Sequence, residues 1–279
     1  MTTARTAPVV LSIAGSDSSC GAGVQADNKA ITALGGYALN VITSVVSEVP
    51  GLVSRIEFMP GDLVADQLRV LAAAFPIAAI KTGMIGGEEQ LRAILDSFNG
   101  PCADALKNVP LVIDPVMIAT SGRRLLSQRA SDLMKAELLP RATLITPNMD
   151  EAEVLWGEPV RTREAMAECA ANLSQRYACA VLVKGGHLLG ATAADVLCDF
   201  HDQKSEQHWF ESPRVPNVRT HGTGCTYSAA IATGLAKGLR LCDAIAQAKH
   251  FITRAIESYF EWHTASSNVQ ALNHQAPSP

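Results

Sequence analysis

Val9-Val10-Leu11-Ser12-Ile13-Ala14 is a β-branched run that stops in the polar, glycine-bearing cluster Gly15-Ser16-Asp17. Ala22–Leu34 then carries Val24, Ile31 and Leu34 on one helical stripe and halts at Gly35-Gly36, after which Val41–Val46 returns to strand. A strand, a helix and a second strand in this order read as a βαβ unit, and the alternation continues along the chain. Helix Leu63–Phe75 leads to strand Ile77–Ile80, which ends in Lys81-Thr82-Gly83-Met84. Helix Glu88–Phe98 leads to strand Leu111–Ile113 with Asp114-Pro115 at its end, and helix Ser127–Leu138 to strand Thr143–Ile145 with Thr146-Pro147-Asn148. Helix Arg163–Tyr177 and strand Ala180–Val183, ending in Lys184-Gly185-Gly186-His187, complete the series. The pattern predicts an α/β fold with a mostly parallel central sheet covered by helices on both faces. Val196–Phe200 and His208–Phe210 read as a small antiparallel edge hairpin, and helices Cys225–Gly238 and Cys242–Glu261 follow. One domain is expected over 1–265, with a flexible polar tail over 266–279.

The 279 residues suffice to bury roughly three quarters of the unfolded chain's surface. Hydrophobic residues make up 48% and charged residues 18%, with a mean hydropathy of +0.13, which excludes a disordered chain. A net charge of −4 without a basic block argues against a nucleic-acid or membrane partner. No apolar run is long enough to span a bilayer, and Met1–Ala7 lacks the apolar core of a secretory signal. Seven cysteines without paired spacing read as reduced thiols of a cytoplasmic protein.

Ligands of open α/β sheets bind beyond the carboxyl ends of the strands, where the polar clusters above converge. The sharpest segment is Thr220-His221-Gly222-Thr223-Gly224-Cys225-Thr226, immediately before a helix of small residues. Glycines at a helix start let backbone N–H groups and the helix dipole converge on an anion, such as a transferring phosphoryl group. Cys225 falls in the first turn, where a thiol pKa is expected to drop. A plain tight loop with a buried Cys is the competing reading. Gly21, Gly23 and Ala26 also fit a loose dinucleotide fingerprint with Glu48 as ribose ligand, but Ser16–Cys20 separates them from the strand. Asn148 and Glu151, three residues apart, suit a magnesium ion held through water, or simply a capping box. Asp114-Pro115 is equally an ordinary turn, Lys184 a solvated strand end and Asp27 a solvated helix face. The histidines lack metal-ligand spacing, and neither a Walker loop nor a nucleophile elbow occurs.

Taken in order, Ser12–Asp17 with Gly21–Asp27, Lys81–Met84, Asp114–Met117, Thr146–Asn148 with Glu151-Ala152, Val183–His187 and His221–Thr226 resemble one family. The chain is similar, from about Val9 to Phe260, to the hydroxymethylpyrimidine/phosphomethylpyrimidine kinases of thiamine biosynthesis, within the ribokinase-like superfamily. That resemblance implies a three-layer α/β/α fold, ATP and Mg2+ as cofactors, a small aminopyrimidine alcohol and its monophosphate as substrates, and a homodimer. It implies an anion hole of Gly222, Thr223 and Gly224 with Cys225 as the base. It places Gly15, Asp27, Val46, Glu48 and Met84 around the pyrimidine, with Glu48 or Asp27 accepting from the ring amino group. Asp114, Asn148, Lys184 and Thr220 match nucleotide positions, and Glu151 matches a magnesium position. Cys20 stands where the family has another glycine, Ser47–Gly51 departs from the usual segment after the second strand, and the expected Gly-Pro-Val ending is missing. The alternatives are a pyridoxal kinase of the same superfamily and a non-catalytic pyrimidine sensor. The intact Asn148/Glu151 pair and Gly222–Cys225 loop, and the lack of an appended DNA-binding domain, weigh against the sensor.

Overall fold

The computed structural model describes residues 6–117, 126–201, 204–216, 218, 221–263 and 268–275, with all their side chains except those of 200, 201, 204 and 205. The chain runs β1 (Val9–Asp17), α1 (Gly23–Ala33), β2 (Tyr37–Val49), β3 (Leu52–Phe58), α2 (Gly61–Ala74), β4 (Ile77–Thr82), α3 (Glu88–Asn99), the short α4 (Ala103–Leu106) and β5 (Leu111–Ile113). It continues through α5 (Gln128–Leu133), a π-turn and a 3-10 turn to Arg141, then β6 (Leu144–Ile145), α6 (Met149–Trp156), α7 (Arg163–Tyr177) and β7 (Ala180–Gly185). The last elements are β8 (Thr192–His201), β9 (Lys204–Pro213), α8 (Thr223–Ala236), α9 (Leu241–Glu257), β10 (Phe260–His263) and β11 (Asn268–Ala271).

Among the described residues, nine strands form one sheet in the order β3-β2-β1-β4-β5-β6-β7-β8-β9. The run from β2 to β7 is parallel, and β3, β8 and β9 add antiparallel edges. Alternate side chains of each inner strand enter opposite cores, which is why these strands read as unbroken apolar runs. Val9, Leu11 and Ile13 face the layer with α2, α3 and α7, while Val10, Ala79, Val112 and Leu182 pack under α1, α8 and α9. The chain moves from β1 outward to β2 and β3, then returns to add β4 on the other side of β1. This reversal opens a crevice beyond the carboxyl ends of β1 and β4.

Both edges are more extensive than the sequence predicts. The far hairpin pairs from Thr192↔Pro213 to His201↔Lys204, so residues expected in its connection belong to strands. At the other edge β2 continues through Ser47, Glu48 and Val49, and Gly51 (φ +85) turns it into β3, which lacked a sequence signal of its own. β3 is mostly exposed, at Leu52, Ser54, Arg55, Glu57 and Phe58, and so carries no core-facing alternation to read.

The tail expectation is corrected over 268–275. Helix α9 ends at Glu257, and β10 and β11 form a hairpin that returns the chain to the body. Leu272 is buried in the α1/α8/α9 core, and the His274 ring lies against Phe251 with its Nε2 2.9 Å from Thr226 Oγ1. Two anchors in an otherwise polar stretch escape periodicity-based reading. Burial, with a smaller push from Lys29, lowers the His274 pKa to about 4. The folded state therefore holds this imidazole neutral while the unfolded chain takes up a proton near pH 6.5, so stability falls as the pH drops from 6.5 towards 4. Up to about 3 kcal/mol is lost across that window. Thermal unfolding of the native protein and His274→Gln between pH 7 and pH 4.5 checks this: the variant shows the shallower acid dependence, and equal slopes would remove His274 from the account.

Candidate active site

The crevice is built first by backbone. Asp17, at the end of β1, accepts the N–H groups of Ser19 (2.6 Å), Gly21 (3.0 Å) and Ala22 (2.7 Å), and so folds the β1–α1 loop around its own carboxylate. Its Oδ2 also lies 3.5 Å from His221 Nε2, which sits 3.2 Å from Ser19 Oγ. A Cβ on Gly21 would overlap the His221 ring, and one on Gly222 would overlap the Gly21 carbonyl oxygen. Gly222 caps α8 at φ +78, a conformation that favours glycine. The two loops thus touch through bare backbone, and the first turn of α8 presents its N–H groups at the mouth of the crevice.

Beneath this turn lie paired charges. Lys81 Nζ donates to both carboxylate oxygens of Asp27 (2.9 and 2.8 Å), Ser12 Oγ donates to Asp27 Oδ2 at 2.5 Å, and all three residues are 0% exposed. Burial opposes the Lys81 charge, but the Asp27 carboxylate more than offsets it and the ammonium is held protonated. Alongside, Lys184 Nζ donates to Asp114 Oδ1 at 2.6 Å, and Thr146 Oγ1 donates to the same oxygen at 3.2 Å. A Cβ on Gly224 would stand 3.0 Å from Lys184 Nζ and 3.4 Å from Asp114 Oδ2, so glycine there brings the α8 turn down onto this pair. Asn148 and Glu151 do form the capping box of α6: Asn148 Oδ1 accepts from the Glu151 N–H (2.9 Å) and Glu151 Oε2 from the Asn148 N–H (2.8 Å). Asn148 also bridges Lys184 through backbone. Burial, against the pull of Lys184 and with help from Asp114, pushes the Glu151 carboxyl up to about 8.

The opposite wall comes from β1, β2 and the segment after β4. Met84 reaches over Gly15, its Cε 3.1 Å from where a Cβ would stand, and Thr43 Oγ1 holds the Met84 carbonyl at 2.7 Å. Val46 is buried, and Glu48 is half-buried with its backbone N–H and C=O both bonded to the Ser18 hydroxyl at 2.9 Å. Burial and the nearby Asp17 charge push the Glu48 carboxyl up to about 7.

Two sequence expectations are corrected. Asp27 is not a solvated helix residue, nor an open acceptor for a ligand amino group: it is fully enclosed, and Lys81 and Ser12 take its oxygens. The Cys225 thiol pKa does not fall but rises to about 11. Burial and the Asp27 and Asp114 charges outweigh the lowering influences of Lys81 and the Gly23 N–H. Thr220 lies outside the described residues. Sequence reasoning quoted Ser12, Asp17, Lys81 and His221 within the converging clusters and motifs but assigned none of them a role. Asp27 shares the helical stripe of Val24 and Ile31, and Lys81 ends the apolar strand Ile77–Ile80; two opposite charges at core positions were the signal that they pair. Cys20, where the resemblance anticipates glycine, adopts φ +58, the left-handed region that favours glycine.

Residues 17–270 match the family described as phosphomethylpyrimidine kinase. The chain belongs to the phosphomethylpyrimidine kinase family. A hydroxymethylpyrimidine/phosphomethylpyrimidine kinase of Streptomyces coelicolor is 39% identical over 258 residues, covering 91% of each chain. One of Rhizobium meliloti is 40% identical, over 90% of this chain and 91% of its own. A bifunctional thiamine biosynthesis protein of Geobacter sulfurreducens is 42% identical over 88% of this chain, which spans only 49% of that relative. Among solved structures, a Bacillus subtilis pyridoxal kinase with ADP superposes with a TM-score of 0.84 at 33% identity, over 97% of this chain and 98% of that one. A phosphomethylpyrimidine kinase of Clostridium difficile gives 0.73 at 33% identity, over 89% and 99%. The protein is thus a kinase with the ribokinase-like fold.

Removing one partner of the Lys81–Asp27 pair strands a buried charge, at a cost of about 3–5 kcal/mol. Lys81→Met is expected to lose that much in chemical denaturation, while Lys81→Met combined with Asp27→Leu recovers most of it. A single variant as stable as the native protein would contradict the pairing.

Proposed function

We propose that the chain transfers the γ-phosphoryl group of ATP to the hydroxymethyl oxygen of 4-amino-5-hydroxymethyl-2-methylpyrimidine, and then to its monophosphate, in thiamine biosynthesis. The observation that carries this reading is the pairing of two walls: Met84 over Gly15 together with β2, which carries the buried Val46 and the half-buried Glu48, and a helix start without side chains at Gly222 and Gly224. Glu48 accepts the ring amino group; Gly15, Val46 and Met84 hold the ring. The backbone N–H groups of Gly222, Thr223, Gly224 and Cys225 receive the charge on the transferring phosphoryl oxygens. Lys184, held by Asp114, together with Asn148 and Thr220, orients the nucleotide phosphates.

A thiol with its pKa near 11 is protonated at neutral pH. Cys225 therefore orients the hydroxymethyl oxygen by a weak S–H hydrogen bond rather than taking its proton. The alcohol oxygen bonds to the γ-phosphorus, the bridging P–O bond breaks with its electron pair leaving on ADP, and the alcohol proton passes to a phosphoryl oxygen. A loose transition state needs no earlier deprotonation. Glu151 Oε1 and Asp114 Oδ2 accept no hydrogen bond among the described residues, and a cation nearby would restore the Glu151 charge that burial opposes. Among the described residues no group of three or more His, Cys, Asp or Glu side chains is disposed to hold a metal ion, and two carboxylate oxygens suit Mg2+ held largely through water. When bound, the ion supplies charge neutralisation to the phosphates.

We further place the kinase in the cytoplasm as one catalytic unit: all seven cysteines are free, and among the described residues no helix is long and apolar enough to cross a membrane. A homodimer through the β2–β3 edge is supported by the exposure there of Val45, Val49, Leu52 and Phe58.

ADP release with Mg-ATP, offering the pyrimidine alcohol, its monophosphate and pyridoxal in parallel, tests the substrate: the pyrimidines turn over, and turnover of pyridoxal alone would overturn the reading. The KM for the pyrimidine alcohol falls as the pH rises through about 7, where Glu48 ionises and becomes an acceptor, and Glu48→Gln loses that step. Cys225→Ala lowers kcat on the order of 10²-fold through lost positioning, with KM changed only a few-fold. Unchanged turnover would remove the thiol from the site.

A further inference from the structure

A cavity of ≈ 870 Å³ lies beside the β1–α1 loop, and Glu48, Met84 and Cys225 do not line it. Its walls are the outer face of α1, the Ser19–Gly21 turn, Pro50 just after β2, His221, and the β10–β11 hairpin with the segment after it. The size falls within the range of small-molecule sites. Phe260 and Trp262 line it with rings 5.8 Å apart, and both are partly exposed, at 43% and 53%. Asn28, on the α1 wall, keeps its Oδ1 buried with no hydrogen-bond partner, an orphaned acceptor that calls for a donor. Lys29 is the one Lys, Arg, Asp or Glu side chain among the described residues lining the cavity, and no carboxylate faces it there. Its ammonium spends one N–H on the Cys20 carbonyl, at 2.6 Å. His221 and His274, also in the wall, are both shifted towards the neutral form by burial.

We propose that this cavity is a second ligand site, an effector site for a planar aromatic anion carrying an N–H or O–H donor. The aromatic body lies against Phe260 and Trp262, the anionic group meets Lys29, and the donor satisfies Asn28 Oδ1. Occupancy bears on catalysis from two directions. His221 abuts Gly21 and directly precedes Gly222, the cap of α8. His274 holds Thr226, the neighbour of Cys225. The catalytic consequence rests on the kinase reading; the binding itself does not.

The probe is 8-anilinonaphthalene-1-sulfonate, which combines aromatic rings, a sulfonate and an N–H donor, titrated by fluorescence into the full chain. One saturable site per chain is expected. Trp262→Ala and Lys29→Met each weaken it about ten-fold or more, Glu48→Gln leaves it unchanged, and saturating pyrimidine alcohol does not displace it. Bound probe changes the kcat of the native protein, whereas Trp262→Ala keeps basal turnover and loses that response. Binding that is equal in the wall variants, or displaced by the pyrimidine alcohol, would overturn the proposal. So would a Trp262→Ala protein that sediments as a smaller species, since the hairpin would then be a self-association surface.

Discussion

The close approach of two backbones, at Gly21 and Gly222, is the constraint on which the rest of the site depends. The β1–α1 loop is wound around the Asp17 carboxylate, and the start of α8 rests on that loop with no room for a Cβ at either glycine. The backbone N–H groups that the crevice offers an anion are set by this contact. The N–H groups of a helix start carry partial positive charge and point at one place, and they cost no reorganisation when charge arrives. The parallel sheet supplies the frame, because the reversal of strand order at β1 is what leaves the crevice open.

The charged floor serves a different purpose. Lys81 is matched to Asp27, Lys184 to Asp114, and farther along the sheet Lys249 to Asp195 at 2.7 Å. With these cations neutralised in place, the positive character of the roof comes mainly from backbone, while Lys184 keeps donors for an incoming phosphate. Burial is the main cause of the high thiol pKa of Cys225, and the two carboxylates that share its surroundings with Lys81 add to it. On the proposed reading, Glu48, whose carboxyl burial and the Asp17 charge push up to about 7, makes pyrimidine recognition, rather than the transfer step, the part most sensitive to neutral pH.

The frame was legible because inner parallel strands must be apolar on both faces, so Val9–Ala14, Ile77–Ile80 and Ala180–Val183 announce themselves. The glycines before α8 were legible for a related reason, since a helix start that admits an anion needs bare backbone. Pairings across the fold were not. Nothing local connects Asp27 to Lys81 or His274 to Thr226, separated by 54 and 48 residues, and each pair decides whether a polar side chain is solvated or sealed. The direction of the Cys225 shift failed for that reason: the helix start is visible in sequence, whereas the burial of the thiol and the carboxylates gathered beneath it by β5 and α1 are not. Edge elements such as β3 and β10–β11 face water, where periodicity carries little information.

The most direct measurement is a crystal structure with a non-hydrolysable ATP analogue and the pyrimidine alcohol bound together. The account predicts the γ-phosphate on the N–H groups of Gly222 to Cys225, the hydroxymethyl oxygen beside the Cys225 sulfur and the ring amino group on Glu48. A γ-phosphate held elsewhere, or a pyrimidine turned with its amino group away from Glu48, would contradict it.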